Sequence, residues 1–288
     1  MHSVFTSQLH KALLNFENGE YTKSINILDK VLLKDSNNFD ALFLKGVVCG
    51  VLRKHDSSIS YLLSAEKQQP NHGFLQYNIA KAYSDLGDDN SALPHHNLAV
   101  SLLPTNYDAW FNYGLSLFRL TYFDQALIHY NRAIHLNPNF SQAYFFRAIA
   151  IFKLGHFEES LFSYDKAIEL NPSFSEAYCN RGNALQELKL LESALSSYDQ
   201  SIALNKSYSD AWYNRGIVLK KLNRLNDALE SFTFAISFKK DYFEAYSNRG
   251  SVLHDLNRIN EALEDYDTSI SINPDHADNT GINLLLYC

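Results

Sequence analysis

Cysteine is scarce in this chain: three residues in 288, Cys49, Cys179 and Cys288, far apart in sequence. No two have the short spacing of a zinc knuckle or a redox pair, so the composition fits a reducing compartment. Long apolar runs are missing as well. Nowhere do about 18 apolar residues follow one another, the length a membrane-spanning helix needs, and the opening MHSVFTSQLHKALLNFENGE has no basic segment leading into an apolar stretch. These absences predict a soluble cytoplasmic protein without a membrane partner. Positive charge is in deficit, with 25 Lys and Arg against 32 Asp and Glu and a formal net charge of −7. A phosphate-tracking surface needs a basic stripe, so no nucleic-acid partner is expected. Enzyme signatures are absent: no P-loop, no dinucleotide-binding glycine pattern, no HExxH and no GxSxG. The expectation is a protein with no catalytic residue, no metal and no cofactor. His95 and His96 are adjacent, which places them about 100° apart on a helix; they are poor joint metal ligands and read as solvated surface. Glu158 and Glu159 read as helix-start acids that favour the helix dipole.

What the chain has is a 34-residue self-similarity from Phe5 to His276 without insertion or deletion. It divides the sequence into a tail at 1–4, eight repeats at 5–38, 39–72, 73–106, 107–140, 141–174, 175–208, 209–242 and 243–276, and a remainder at 277–288 that is a capping helix or a truncated ninth repeat. The eighth position of successive repeats is Ala12, Gly46, Ala80, Gly114, Ala148, Gly182, Gly216 and Gly250, always small. Position 20 is Ser or Ala throughout, and position 27 is Ala or Ser in all but Val31. Small residues recur where two helices approach closely. Pro70, Pro104, Pro138, Pro172 and Pro274 close five repeats, stopping one helix before the next begins. Aromatics return at position 4 (Trp110, Tyr144, Tyr178, Trp212, Tyr246) and position 24 (Tyr130, Tyr164, Tyr198, Phe232, Tyr266). Each repeat therefore reads as two helices of about 12 to 15 residues joined by a short turn, and the fold class as an all-α solenoid of antiparallel helix pairs with no internal boundary. Gly19, Gly87 and Gly155 mark that turn, where other repeats carry Arg53, Thr121, Lys189, Asn223 and Asn257. Pro94 falls within the first turns of a second helix and is expected to delay or bend it.

The stretches SEAYCNRGNALQELKLLESALSSYDQSIALN and SDAWYNRGIVLKKLNRLNDALESFTFAIS carry the aromatic, Gly, Ala, aromatic, Ala order of the tetratricopeptide repeat, which the chain resembles over all but its ends. The resemblance implies a right-handed superhelix whose first helices line a concave groove. Protein O-glycosyltransferases hold extended polypeptide on an asparagine ladder in similar arrays, and the ladder position maps here onto Asn78, Asn112, Asn180, Asn214 and Asn248 at position 6. An amide can donate to a backbone carbonyl and accept from a backbone N–H at once. The same residues could instead bond to neighbouring side chains or cap the turn between repeats. Co-chaperone members of the family grip a C-terminal carboxylate with Lys, Asn and Arg. This chain does not match them, since position 2 is Asp40, Asp108, Glu176, Asp210 or Glu244 in five repeats.

By helical spacing the groove face of repeats one to five is apolar, with Phe43, Tyr77, Phe111, Leu115, Phe118, Phe145, Phe146, Ile149 and Phe152 as candidate ligand contacts against only Gly50, Lys81 and Ser84. Repeats six to eight are mostly polar there, with Tyr213 as a further candidate. The first helix of repeat five is apolar nearly all round, so either the array covers that face or a partner's apolar segment docks on it. The expected function is a non-enzymatic scaffold binding an extended or amphipathic polypeptide in its groove. A substrate-recruiting arm of a protein glycosyltransferase whose catalytic part is not in this sequence is the alternative, motivated by the LLLYC ending, and self-association through the apolar ends is a third.

Overall fold

The computed structural model describes residues 2–274, with side chains from residue 6 onward. Among the described residues there are sixteen α-helices and no strand. The first helix of each pair is α1 (His2–Glu17), α3 (Phe39–Val51), α5 (Gly73–Leu86), α7 (Tyr107–Arg119), α9 (Ser141–Lys153), α11 (Ser175–Glu187), α13 (Ser209–Lys221) or α15 (Phe243–Asp255). The second is α2 (Tyr21–Leu32), α4 (His55–Glu66), α6 (Asp89–Leu102), α8 (Phe123–Leu136), α10 (Phe157–Leu170), α12 (Leu191–Leu204), α14 (Leu225–Phe238) or α16 (Ile259–Ile272). The chain is an all-α solenoid of helix pairs. It falls into two compact units, Met1–Ala150 and Ile151–Cys288. The expected cap or ninth repeat at 277–288 lies outside the described residues, and α1 starts at His2, ahead of the first repeat as read from the period.

Each pair is closed by the same turn. Its central residue, at repeat position 15, is left-handed in all eight pairs: Gly19, Gly87 and Gly155 at φ 75–89°, and Arg53, Thr121, Lys189, Asn223 and Asn257 at φ 57–65°. The following N–H reaches back over the helix end, as in Tyr122 N to Leu117 O at 2.9 Å and Arg224 N to Leu219 O at 2.9 Å. This is the closure that satisfies the last carbonyls of a helix when the residue beyond its cap turns left-handed. Pro94 neither delays nor breaks α6, which begins at position 17 of its repeat like α8 and α10.

Close approach within a pair is set by position 8 against position 24. A Cβ on Gly114 would lie 2.7 Å from the Tyr130 ring, one on Gly182 2.5 Å from Tyr198, one on Gly216 2.7 Å from Phe232 and one on Gly250 2.8 Å from Tyr266. The glycines exist because those rings fill the space, and Tyr130, Tyr198 and Phe232 are fully buried there. Buried hydroxyls supplement this packing: Ser24 Oγ donates to Ala12 O at 2.8 Å, Ser58 Oγ to Gly46 O at 2.8 Å and Ser201 Oγ to Ser175 O at 2.8 Å. A small residue at these positions thus closes the gap and, when it is Ser, satisfies itself on the neighbouring backbone.

Charge fastens one repeat to the next in the C-terminal unit. Arg181 on α11 donates to Asp165 on α10 (2.6 Å) and Ser197 on α12 (2.8 Å). Arg215 on α13 does the same to Asp199 on α12 (2.7 Å) and Ser231 on α14 (2.7 Å). Arg249 on α15 joins Asp265 on α16 (2.7 Å) to Thr233 on α14 (3.3 Å). All are position 7 residues reaching one second helix on either side. In the N-terminal unit Lys45 on α3 repeats the motif, bonding Asp29 on α2 and lying over the Tyr61 ring of α4 at 4.2 Å.

Candidate functional site

Successive first helices touch one another within each unit, α1 with α3, α3 with α5 and α5 with α7, then α11 with α13 and α13 with α15. No two second helices pack as closely among the described residues. The first helices form the tighter, inner layer of each unit, and their position 6 side chains follow one another along it.

The asparagines are held there by their own amide protons. Asn112 Nδ2 donates to the Asp108 carbonyl one turn back (2.8 Å) and to Tyr77 Oη on the preceding first helix (3.2 Å). Asn248 repeats this with Glu244 O (2.9 Å) and Tyr213 Oη (3.2 Å). Asn214 Nδ2 donates to Asn183 Oδ1 (3.0 Å), with Cys179 Sγ at 3.9 Å, and Asn78 Nδ2 to Phe74 O (2.7 Å). Asn180 accepts from Asn183 at 3.3 Å. The internal bonding offered by the sequence as one alternative is therefore present on the donor side. No protein donor reaches Oδ1 of Asn78, Asn112, Asn214 or Asn248 among the described residues, and none of these oxygens is a buried unpaired atom. Four half-buried carbonyl oxygens are left, fixed in direction by the bonds their nitrogens make.

Tyr77 and Tyr213, two of the apolar-groove candidates, are thus partners of the ladder, and burial pushes both phenols up to about 12. Phe111 and Phe145 are not presented as ligand contacts. They are 7% and 8% exposed, because Phe111 is wedged among Tyr130, Phe140 and Phe146 (centroids 4.8–5.8 Å) and Phe145 packs on Phe146 at 5.3 Å. Phe146 and Leu115 pack half-buried on the same cluster, and Phe118 does so with its ring 5.3 Å from Phe123. Phe152 lies 5.2 Å from Phe157, Phe43 stacks on Phe39 and meets the tilted ring of His72 at 5.6 Å, and Ile149 is half-buried. The apolar face of α9 is covered largely by its own surroundings.

His96 is a correction. The sequence placed it on solvated surface, but it is fully buried because it occupies position 24, where other repeats carry Tyr or Phe. Its Nε2 meets Ser116 Oγ at 3.1 Å and Ser84 Oγ at 3.3 Å, and its ring stacks on Tyr113 (5.5 Å), which stacks on His129 (4.0 Å). Burial is the main cause that holds His96 down to about 3 and His129 to about 4. A histidine with that little proton affinity is a poor general base near neutral pH, so the Ser84–His96–Ser116 contact is a core network, bonded through Nε2 while the buried Nδ1 of His96 has no partner. His95 is half-buried against Gln76 Oε1 at 2.7 Å. The Cys179 thiol is 1% exposed and burial pushes it up to about 12, which makes it inert. Among the described residues no three His, Cys, Asp or Glu side chains are placed to hold a metal ion, and no helix is long and apolar enough to cross a membrane.

A feature the ladder reading passed over is a pocket of about 460 Å³ between α3, α4 and α5, lined by Gly50, Arg53, His55, Asn78 and Lys81 among others. The signal is Gly50, the one glycine at a position that is Phe16, Phe118 and Phe152 in three other repeats.

Comparison with known families decides what this architecture is. Models described as tetratricopeptide repeat match residues 107–140, 175–208, 197–230 and 243–276, and one described as TPR repeat matches 150–189, together more than half of the chain. The chain belongs to the tetratricopeptide repeat family. Three of these matches start on the first residue of α7, α11 and α15. The N-terminal acetyltransferase A complex subunit-like protein of Schizosaccharomyces pombe is 27% identical over 104 residues, and the match spans 35% of this chain but only 15% of that protein. Among solved structures, YrrB, described as a TPR protein with an unusual peptide-binding site, is 22% identical with a TM-score of 0.53, covering 63% of this chain and 93% of YrrB. MamA is 23% identical with a TM-score of 0.53 over 57% of this chain and 96% of its own. The Cut9–Hcn1 hetero-tetramer of APC/C is 16% identical with a TM-score of 0.63, over 93% of this chain and 53% of that one. At these identities the likeness to solved structures is one of fold. As a tetratricopeptide array the chain is a protein-interaction scaffold.

Proposed function

We propose that this scaffold is non-enzymatic and holds an extended polypeptide along the inner layer of first helices, with the position 6 asparagines accepting backbone N–H groups of the bound chain. The observation that carries the reading is the half-engaged amide: Asn112, Asn214 and Asn248 use Nδ2 inside the array and keep Oδ1 for a ligand. Packed helices lie about 8 to 10 Å apart and an extended chain advances about 3.3 Å per residue. Neighbouring asparagines therefore meet every third residue of a ligand, whatever its side chains. Backbone hydrogen bonds supply affinity in this mode and side-chain pockets supply choice. The half-buried Phe43, Phe118, Phe146, Ile149 and Phe152 add apolar surface beside the track. The net charge of −7 supports a protein ligand over nucleic acid, and the buried free thiols Cys49 and Cys179 fit a cytoplasmic setting.

The test is selection of displayed random 12-residue peptides on the intact chain, followed by calorimetry with the selected peptides. Asn112→Ala for peptides seated on the N-terminal unit, and Asn214→Ala/Asn248→Ala for those seated on the C-terminal unit, are each expected to weaken binding at least tenfold while the helical content stays matched. Unchanged affinity would discard the ladder as a binding element.

A further inference from the structure

In repeats one, four and five the chain places a ring at position 12 on the inner layer, and at position 17 of the same repeat a second ring meets it. Phe16 packs on Tyr21 at 5.9 Å, Phe118 on Phe123 at 5.3 Å and Phe152 on Phe157 at 5.2 Å. Repeat two has Gly50 and His55 at these two positions. The missing ring leaves a vacancy, and the pocket of about 460 Å³ between α3, α4 and α5 is lined by both residues. A side chain built on Gly50 would find only Ser58 Oγ within 4 Å of its Cβ, at 3.3 Å. His55 keeps a buried Nδ1 without a hydrogen-bond partner.

The charges lining this space are unlike those of the whole chain. Arg53 and Lys81 line it with a single carboxylate, Asp85, in a molecule whose formal charge is −7. Arg53 makes no ion pair among the described residues, and Lys81 is bridged only to Asp85 at 2.7 Å, an exposed pair one helical turn apart. Exposed pairs of this kind are weak, so Lys81 can be drawn to a better-placed anion. Val47 and Ala82 supply an apolar wall, and Asn78 of the ladder sits on the rim with its Oδ1 unengaged.

We propose that this pocket is a specificity subsite for one acidic side chain of the bound polypeptide. The ligand's aliphatic stem fills the place of the missing phenyl ring against Val47 and Ala82, and its carboxylate is held between Arg53 and Lys81. The inference rests on the reading of the inner layer as a polypeptide track. It adds what that track selects: a Glu at the point where the ligand passes repeat two, the chain's own acidity being locally reversed there.

The test uses the 12-residue peptides selected on the intact chain, resynthesised with each Glu or Asp changed to its amide. One such change is expected to lower affinity at least tenfold on the unaltered protein. That penalty should fall below twofold on Gly50→Phe, which restores the ring found in three other repeats, and on Arg53→Gln, which leaves the pocket open. Asp85→Asn, which removes the competing carboxylate, should tighten binding of the acidic peptide severalfold. The proposal is overturned if the selected peptides are indifferent to the amide change, or if the penalty persists in both Gly50→Phe and Arg53→Gln. In either case peptides that still lose affinity on Asn112→Ala, two repeats away in the same unit, leave the track itself standing. Failure to select any peptide would overturn the track and the subsite together.

Discussion

Repeats six to eight and repeats three to four build the same joint from opposite chemistry. In the former, position 7 is an arginine that pins the second helices on either side of it, as Arg215 does with Asp199 and Ser231, and position 24 is a ring that demands glycine opposite. In the latter, position 7 of repeat four is Tyr113, sandwiched between His96 of repeat three and His129 with centroids at 5.5 and 4.0 Å. There the buried ring of α6 is an imidazole that needs Ser84 and Ser116 as partners. The backbone is the same in both. The difference shows that the repeat prescribes volume at these positions, while polarity is negotiated locally, and incompletely, since His96 Nδ1, His129 Nδ1 and Tyr130 Oη are buried without a partner.

Acid separates the two solutions most strongly. His96 binds a proton only near 3, mainly because it is buried and secondarily because His129, His95 and Arg119 are close, whereas an unfolded histidine binds near 6.5. Between those values the unfolded chain holds a proton that the folded chain lacks, so stability is complete above pH 6.5 and declines as pH falls. The loss is about 1.4 kcal/mol per pH unit. Urea midpoints at pH 7.5 and 4.5 should therefore differ by about 3 kcal/mol in equivalent stability from His96, with a comparable loss from His129, which burial holds at about 4, and Ala80→Gly/His96→Phe, which imports the chemistry of repeat seven, should lose about half of that slope. An equal slope in both proteins would remove His96 from the account.

The glycine and ring pairing gives a smaller effect in the other unit. A methyl on Gly182 would stand 2.5 Å from Tyr198, and overpacking of this kind costs about 1 to 3 kcal/mol, against a helix-propensity gain of about 1 kcal/mol. Gly182→Ala is expected to lower the thermal midpoint by a few degrees, and Tyr198→Leu to reduce that loss when added, since Ala12 already packs in a repeat with Leu28 at position 24. If Gly182→Ala is neutral, the ring moves and position 8 is not constrained by contact.

The smallest expected change is a gain. Thr121 holds φ at 65°, which costs a β-branched residue about 1 to 2 kcal/mol, and glycine recovers part of this after its own entropic cost. Thr121→Gly should raise stability by about 0.5 to 1 kcal/mol, measured by the urea midpoint, and Asn223→Gly by less, because Asn tolerates that region better.

Much of this was legible in the sequence because a 34-residue period repeats its reasons eight times. The small residues, the rings and the left-handed turns each had several copies to be read from. Departures confined to one repeat were not legible in that way. His96 looks like surface when taken as one of an adjacent histidine pair, whereas position 24 of its repeat belongs to the core. Phe111 and Phe145 were assigned to the groove by helical angle alone, which cannot foresee that Phe140 and Phe146 would close over Phe111. The charged staples do leave a signal in the sequence. Lys45, Arg147, Arg181 and Arg215 each follow Asp29, Asn131, Asp165 or Asp199 by 16 residues, a spacing that crosses the repeat boundary and so escapes a search made within repeats. The half-engagement of the asparagines could not have been read at all, since it depends on which neighbour the amide nitrogen reaches.

The ladder bonds also carry a lesson about time. Asn112 to Tyr77 and Asn248 to Tyr213 both span 35 residues, and no hydrogen bond found among the described side chains reaches farther along the chain. A nascent segment leaving the ribosome therefore waits for about one more repeat before each of these partners exists. With contacts this local, ordering can keep pace with translation at about 5 to 20 residues per second, and the array can be completed in the order in which it is made.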